Sequence, residues 1–217
     1  MFSNIILKMM YETPLCEIME KYGSDKGGSK NRTEHGHNYT IKYHEIFQHF
    51  RDSPINVFEL GLGTNNLDVV GNMGANGKPG ASLRGWKEYF PNAMVYGADI
   101  DKRILFQEDR IKTVFCDQTS PEIITNMWTT LGQTFDIIVD DGLHTFEPNK
   151  CFLDNSLPYL KPGGIYIIED INNFDIHKWT YTLKQYPGLH GEVHTIPYAQ
   201  NRGGDNNVAI IKKKHKT

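Results

Sequence analysis

Five short apolar runs recur from residue 56 onward: NVFELG (56–61), AMVYGAD (93–99), IKTVFCD (111–117), FDIIVDD (135–141) and IYIIED (165–170). Their apolar residues are nearly continuous rather than alternating, which marks strands buried on both faces. The stretches between them, 82–90, about 101–107, 121–131 and 148–160, read as helices. Buried strands separated by helices predict an α/β fold with a doubly wound, mostly parallel sheet. A further helix is predicted over 176–186. EVHTIPY (192–198) and NVAIIKK (207–213), joined by the hairpin-length link AQNRGGDN, predict late strands with an antiparallel last pair.

Two helices are predicted ahead of the first strand, over 11–22, closed by Gly23, and over Tyr39–Phe50, where Tyr39, Tyr43, Ile46, Phe47 and Phe50 share helical spacing. The polar stretch GSDKGGSKNRTEHGHN between them is too rich in Gly, Ser and Asn for regular structure. The chain thus divides into an N-terminal helical cap segment, 1–54, and a sheet domain, 55–217. A length of 217 residues suits one domain with a small appendage.

The formal charge of −3 lacks the basic excess of nucleic-acid binders, so no nucleic-acid partner is expected. Cys16, Cys116 and Cys151 are odd in number and far apart, which fits a reducing, cytoplasmic setting. The opening MFSNIILKMMYE lacks the parts of a signal peptide. No run reaches the roughly 18 apolar residues of a membrane span, so no membrane partner is expected. The tail KKKHKT reads as a solvated terminus.

Ligands of open parallel sheets bind beyond the carboxyl ends of the strands. After the first strand come Glu59, Gly61 and Gly63, two glycines that permit a sharp turn and close approach to a ligand. The dinucleotide fingerprint would need a glycine or alanine where Asn66 stands. The long Gly/Asn-rich stretch 64–81 also separates the strand from its helix, so no helix start is expected near a pyrophosphate. A nucleoside with a smaller tail is the expected ligand. The loop itself reads either as a functional lid or as a surface insertion.

Asp99 is placed to accept ribose hydroxyls, with Asp101 free to cap the next turn. Asp117 and Gln118 are placed to meet an adenine edge, although Asp117 is also a candidate cap beside Ser120. The fourth and fifth runs end in Asp140-Asp141 and Glu169-Asp170. On adjacent strands these carboxylates would crowd one crevice, which calls for raised pKa values or a divalent cation, magnesium or manganese. Neighbours on a strand face opposite ways, so one of each pair serves the crevice and the other caps a helix or binds cofactor. His144 is placed to reach the same crevice as a base or ligand.

Taken together, ELGLG, GADID, FDIIVDDG and LKPGGIYIIED resemble a class I S-adenosylmethionine-dependent methyltransferase, with a Rossmann-like sheet, over about residues 55–170. KYGSDKG (21–27), GHNYTIKYHEIF (36–47), ASLRGWKEYF (81–90) and DDGLH are similar to bacterial metal-dependent sugar O-methyltransferases, including the macrolide-sugar group. The resemblance implies that Gly61 and Gly63 cradle the cofactor's methionine part, with Glu59 supporting the loop. It places Asp99 on the ribose, Asp117 and Gln118 by the adenine, and Tyr22, Ser24, Asp25 and Lys26 around the cofactor. Asp140 is carried as a cofactor contact. Asp141, Glu169 and Asp170 would hold Mg²⁺ or Mn²⁺, and His144 would be the base, with Asp141 also catalytic. Leu143 stands where such proteins more usually have serine.

The implied acceptor is a small-molecule sugar: nucleotide-activated, or part of a glycan or natural product, such as a capsular heptose. A catechol-like or phosphoryl acceptor stays open. An NAD-dependent dehydrogenase would share the strands and Asp99 but fails at Asn66, and a non-catalytic binding protein would not need the acidic strand ends. The resemblance also implies a homo-oligomer, with the N-terminal segment available for contact.

Overall fold

Strand β1 (Asn56–Leu60) sits at the centre of an eight-stranded sheet, and every functional feature is placed relative to its carboxyl end. The computed structural model describes residues 13–27, 37–196 and 204–215. The MFSNIILKMMYE patch, the middle of the polar stretch (28–36), the end of the predicted 192–198 strand with most of its link (197–203) and the last two residues lie outside the described residues.

Before β1 come α1 (Pro14–Tyr22) and α2 (Tyr39–Phe47). After it follow α3 (Ala81–Tyr89), β2 (Met94–Asp99), β3 (Gln107–Glu108), β4 (Ile111–Phe115), α4 (Pro121–Leu131) and β5 (Phe135–Asp140). The chain closes with α5 (Phe146–Ser156), β6 (Leu160–Ile168), α6 (Ile176–Leu183), β7 (Leu189–Thr195) and β8 (Asn207–Lys213). The sheet order is β3-β4-β2-β1-β5-β6-β8-β7. β4, β2, β1, β5 and β6 run parallel, whereas β8 is antiparallel to both β6 and β7. The sheet is therefore the predicted one, with its antiparallel late pair.

Alternate strand residues face opposite layers. Val57, Val95, Val139 and Ile167 pack with Trp86 and Phe90 and with Leu15, Met19, Tyr43 and Phe47 of the first two helices. Phe58, Tyr96, Ile138 and Tyr166 pack with Trp128, Phe152 and Trp179 on the other side. The N-terminal helices thus share a core with the sheet. Among the described residues no helix is long and apolar enough to cross a membrane.

Several element boundaries shift by about three residues from the sequence reading, and two expected helices differ more. The helix expected at about 101–107 is a single 3₁₀ turn, Lys102–Ile104, begun by Asp101 accepting from the Arg103 N–H. The Thr113 hydroxyl then takes both the N–H and the C=O of Phe106, each at 2.6 Å, and draws the chain onto the sheet edge as β3. The helix expected to reach residue 160 stops at Ser156. β6 begins at Leu160, ahead of the apolar run, because Gly163 adopts φ 79° beside a register shift in the β5 pairing.

The long loop after β1 also departs from expectation. The Met73 N–H donates to the Thr64 carbonyl and the Gly80 N–H to the Leu62 carbonyl, both at 2.8 Å. Its two ends therefore meet, and the start of α3 returns beside the glycine turn instead of being held away. Asn66, the residue that breaks the dinucleotide pattern, donates its amide to Asp101 Oδ2 at 2.7 Å, and Thr64 Oγ1 donates to the same oxygen.

Candidate active site

Asp140 at the end of β5 pairs in register with Ile168 at the end of β6, so the two acidic strand ends emerge side by side. Beyond the sheet, Asp141, His144 and Asp170 converge. His144 Nε2 lies 3.1 Å from Asp141 Oδ1 and 3.3 Å from Asp170 Oδ2. One donor atom from each of the three lies within 4.8 Å of the others. His144 and Asp170 hold φ of 54° and 53°, a left-handed backbone that costs a non-glycine residue about 1–3 kcal/mol and clusters at functional sites. The two carboxylates offer the oxygen donors that a hard divalent cation such as Mg²⁺ or Mn²⁺ takes, with the imidazole beside them.

The electrostatics follow from the crowding. Burial opposes charge on His144, but the Asp141 hydrogen bond and the charges of Asp170 and Asp141 outweigh it and raise its pKa to about 10. Burial likewise opposes ionisation of Asp141, yet Lys26 and His144 hold its pKa below the usual carboxylate range. Lys26 is only 2% exposed. Burial alone would discharge its ammonium, but Asp141, Glu169 and Glu59 keep its pKa well above the ordinary value.

Lys26 Nζ donates to Asp141 Oδ2, and to Glu169 Oε2 at 2.5 Å. Tyr43 donates to Glu169 Oε1 at 2.6 Å. Burial and neighbouring acids push the Glu169 pKa up, but both of its oxygens accept hydrogen bonds, the pattern of an ionised carboxylate. The structure therefore does not bring Glu169 into the Asp141–His144–Asp170 group.

Asp140 also turns away from the crevice. Its side chain is fully buried and accepts from Gln118 Nε2 at 2.7 Å and Asn149 Nδ2 at 3.2 Å. Asp140, expected as a cofactor contact, does not border the cleft described below; Gln118 and Asn149 hold its carboxylate instead. Burial raises its pKa to about 8 against the hydrogen bonds it accepts, well above the roughly pH 4 of an unfolded aspartate. Stability then falls as pH rises through that window, by at most about 1.4 kcal/mol per unit. Asp140→Asn should flatten this slope when urea denaturation is compared at pH 5 and pH 8. An unchanged slope would show that Asp140 is ionised throughout.

Most of the remaining predicted residues line a cleft open to solvent or a smaller space beside it. Gly61, Gly63, Asp99, Asp117, Gln118, Asp141, His144 and Asp170 border the cleft. Ser24 and Lys26 border the smaller space, together with Ala81 and Ser82 at the start of α3, and Asp25 borders both.

Asp99 accepts the Leu62 and Asp101 N–H groups at 2.7 and 2.8 Å, which fixes the glycine turn against β2. Glu59 lies beneath the turn, fully buried, accepting from Ser82 Oγ and Trp86 Nε1. Asp117 accepts from the Thr119 N–H and hydroxyl, while Ser120 caps α4. Gln118 Oε1 takes the Leu143 N–H at 2.8 Å and so bolts down the turn that carries His144. Tyr22 and Glu59 border neither space, and the Tyr22 hydroxyl donates to Glu88 at 2.7 Å.

Gly61 holds φ 87°, and a Cβ there would collide with the Asp141 carbonyl oxygen. Gly61→Ala should therefore cost more than the roughly 1–3 kcal/mol of backbone strain, since it pushes on a metal-side residue. Urea denaturation and binding of S-adenosylhomocysteine would read this; a variant as stable and as competent as the wild type would refute the close approach.

Sequence reasoning missed three groups. Tyr39 donates its hydroxyl to Asp170 Oδ1 at 2.5 Å. Tyr43 holds Glu169, and His37 Nε2 stands 3.3 Å from Asp170 Oδ1. The signal was present: Tyr39 and Tyr43 lie four apart on an otherwise apolar helix stripe, and a buried phenol needs a partner.

No family model matches the chain. Its fold is that of class I S-adenosylmethionine-dependent methyltransferases, a mostly parallel sheet with an antiparallel edge. Among curated proteins it is related to sugar O-methyltransferases. It is 35% identical over 157 residues, 72% of this chain, to 8-demethyl-8-alpha-L-rhamnosyl tetracenomycin-C 2'-O-methyltransferase of Streptomyces olivaceus. It is 33% identical over 178 residues, 82% of this chain, to demethylmacrocin O-methyltransferase of Streptomyces fradiae. The matched regions span only 37% and 39% of those two proteins. Among solved structures, MycE methyltransferase from the mycinamycin biosynthetic pathway, in complex with Mg and SAH, superposes with a TM-score of 0.69 at 24% identity. That match covers 95% of this chain and 56% of MycE. The plantazolicin methyltransferase BpumL, in complex with a pentazolic desmethylPZN analog and SAH, gives a TM-score of 0.54 at 13% identity over 99% of this chain and 89% of BpumL.

Proposed function

We propose that the protein is an S-adenosylmethionine-dependent, divalent-cation-assisted O-methyltransferase acting on a sugar hydroxyl. The observation that carries this reading is the Asp141–His144–Asp170 group opening on the same cleft as Gly61, Gly63 and Asp99. The names of its relatives, sugar O-methyltransferases of tetracenomycin and macrolide pathways, support the acceptor class.

S-adenosylmethionine supplies the methyl group as a sulfonium, and a bound Mg²⁺ or Mn²⁺ lowers the pKa of a sugar hydroxyl. The chain supplies the rest. Gly61 and Gly63 let the backbone approach the methionine part, Asp99 meets the ribose, and Gln118 holds the turn beneath the adenine side. Asp141 and Asp170 hold the cation. His144 Nε2 takes the acceptor's proton. In the ion-free protein the two carboxylates keep this imidazole protonated; positive charge held at them opposes that pull and frees Nε2 to act as a base near neutral pH.

We assign the N-terminal segment 1–54 as a cap on domain 55–217, a reading supported by Asp25 at the cleft and Ser24 and Lys26 at the smaller space beside it. The physiological setting we favour is cytoplasmic modification of a sugar destined for a polysaccharide or a natural product. The deciding experiment incubates S-adenosylmethionine and Mg²⁺ or Mn²⁺ with nucleotide sugars, glycans and glycosylated natural products in turn, read by mass spectrometry. The expected result is a gain of one methyl group on one class, abolished by EDTA. Methylation that persists undiminished in EDTA overturns the cation's role.

A further inference from the structure

We infer that Lys78 binds the α-carboxylate at the methionine end of the cofactor, in the smaller space beside the cleft. This rests on the reading of the protein as an S-adenosylmethionine enzyme, and it gives the long loop after β1 a part in binding. The cleft and the smaller space share Asp25, Gly61, Gly63, Met73 and Asp141, so they lie side by side across the glycine turn. A ligand that runs along Gly61 and Gly63 from the cleft therefore ends in the smaller space.

The charges around that space complement an amino acid. Lys78 is exposed and borders it, and its ammonium makes no hydrogen bond or ion pair among the described residues. The Asp25 carboxylate borders the same space and likewise makes neither. Lys26, the other cation on the wall, holds Asp141 and Glu169. The Lys78 stem lies over Gly23, the left-handed cap of α1: a Cβ on Gly23 would stand 2.8 Å from both Cδ and Nζ of Lys78. The bare glycine thus leaves room for the lysine between the loop and the N-terminal segment. α3 starts on the same wall. It is nine residues long and begins at Gly80 with no side-chain cap and no acidic residue in its first turn, and Ala81 and Ser82 border the space. Unpaired N–H groups and partial positive charge at a helix start favour an anion, so the carboxylate belongs beside Lys78. The α-ammonium is left to Asp25. A phosphate group would also suit Lys78, but it would set its charge against Asp25 and Asp141, which a zwitterion does not.

Calorimetry with S-adenosylhomocysteine tests this. Lys78→Met should weaken its binding about tenfold, the contribution of a hydrogen-bonded ion pair, while Lys78→Arg keeps the charge and should stay within about threefold of wild type. The control ligand is methylthioadenosine, which has the adenosine and the sulfur but no amino-acid end. Its binding, followed by ligand-observed NMR to reach weak affinities, should agree within about twofold between Lys78→Met and wild type. Lys78 is exposed, so these variants should melt like wild type. Equal weakening of both ligands would make Lys78 a structural residue and overturn the inference. A Lys78→Met protein that binds S-adenosylhomocysteine like wild type would overturn it too, as would a loss that Lys78→Arg does not restore. If wild-type protein binds no S-adenosylhomocysteine, the cofactor reading itself fails, and this inference with it.

Discussion

Replacing His144 by alanine is expected to lower methyl transfer by about 10²–10⁴-fold, the usual contribution of a positioned general base. The fall should appear in kcat. The imidazole lies beyond β5 against two carboxylates, while the glycine turn and Asp99, proposed to meet the cofactor, lie at the ends of β1 and β2. Binding of S-adenosylhomocysteine by calorimetry should therefore change by less than about threefold, sites without shared partners behaving nearly independently. The φ of 54° at residue 144 adds a control. His144→Asn keeps a residue that tolerates this backbone but has no comparable base, so it should be as inactive as alanine and closer to wild type in stability. A turnover within tenfold of wild type in either variant would remove His144 from the mechanism.

The second large effect is at Asp170. Asp170→Asn keeps the shape and an oxygen for the Tyr39 hydroxyl, and asparagine accepts the φ of 53° found there. What it removes is one of the two carboxylate charges facing the ion position. Mn²⁺ affinity should fall by at least about a hundredfold, since such ions rely on carboxylate charge, and turnover should fall with it. Melting temperature should not fall, because the unpaired excess of negative charge in the crevice is reduced. A variant that binds Mn²⁺ normally would place the ion elsewhere.

Much of this is legible in the chain itself. Apolar continuity at 56–61, 93–99, 111–117, 135–141 and 165–170 is a direct demand for burial on both faces, and each run became a parallel strand. The acidic strand ends are visible for the same reason: carboxylates next to such runs can only sit where the sheet stops. The errors are equally physical. The helix expected at about 101–107 was lost to a side chain six residues further on, Thr113, which no local pattern announces. The Tyr22 hydroxyl, to which the resemblance gives a cofactor role, donates to Glu88 on α3, a partner 66 residues away that no local pattern announces either.

The sequence by itself determined the layer order, the glycine turn and the acids that converge on one crevice, because burial periodicity and backbone freedom are local properties. Which acid of each pair faces the crevice was decided only in three dimensions. Asp141, Glu169 and Asp170 lie just past the strand ends, where alternation no longer decides their direction and the partners do. Gln118 and Asn149 claim Asp140, and Lys26 and Tyr43 claim Glu169. Those four side chains come from distant parts of the chain, and only folding sets their charges and dipoles beside one another. That leaves Asp141 and Asp170 together with His144.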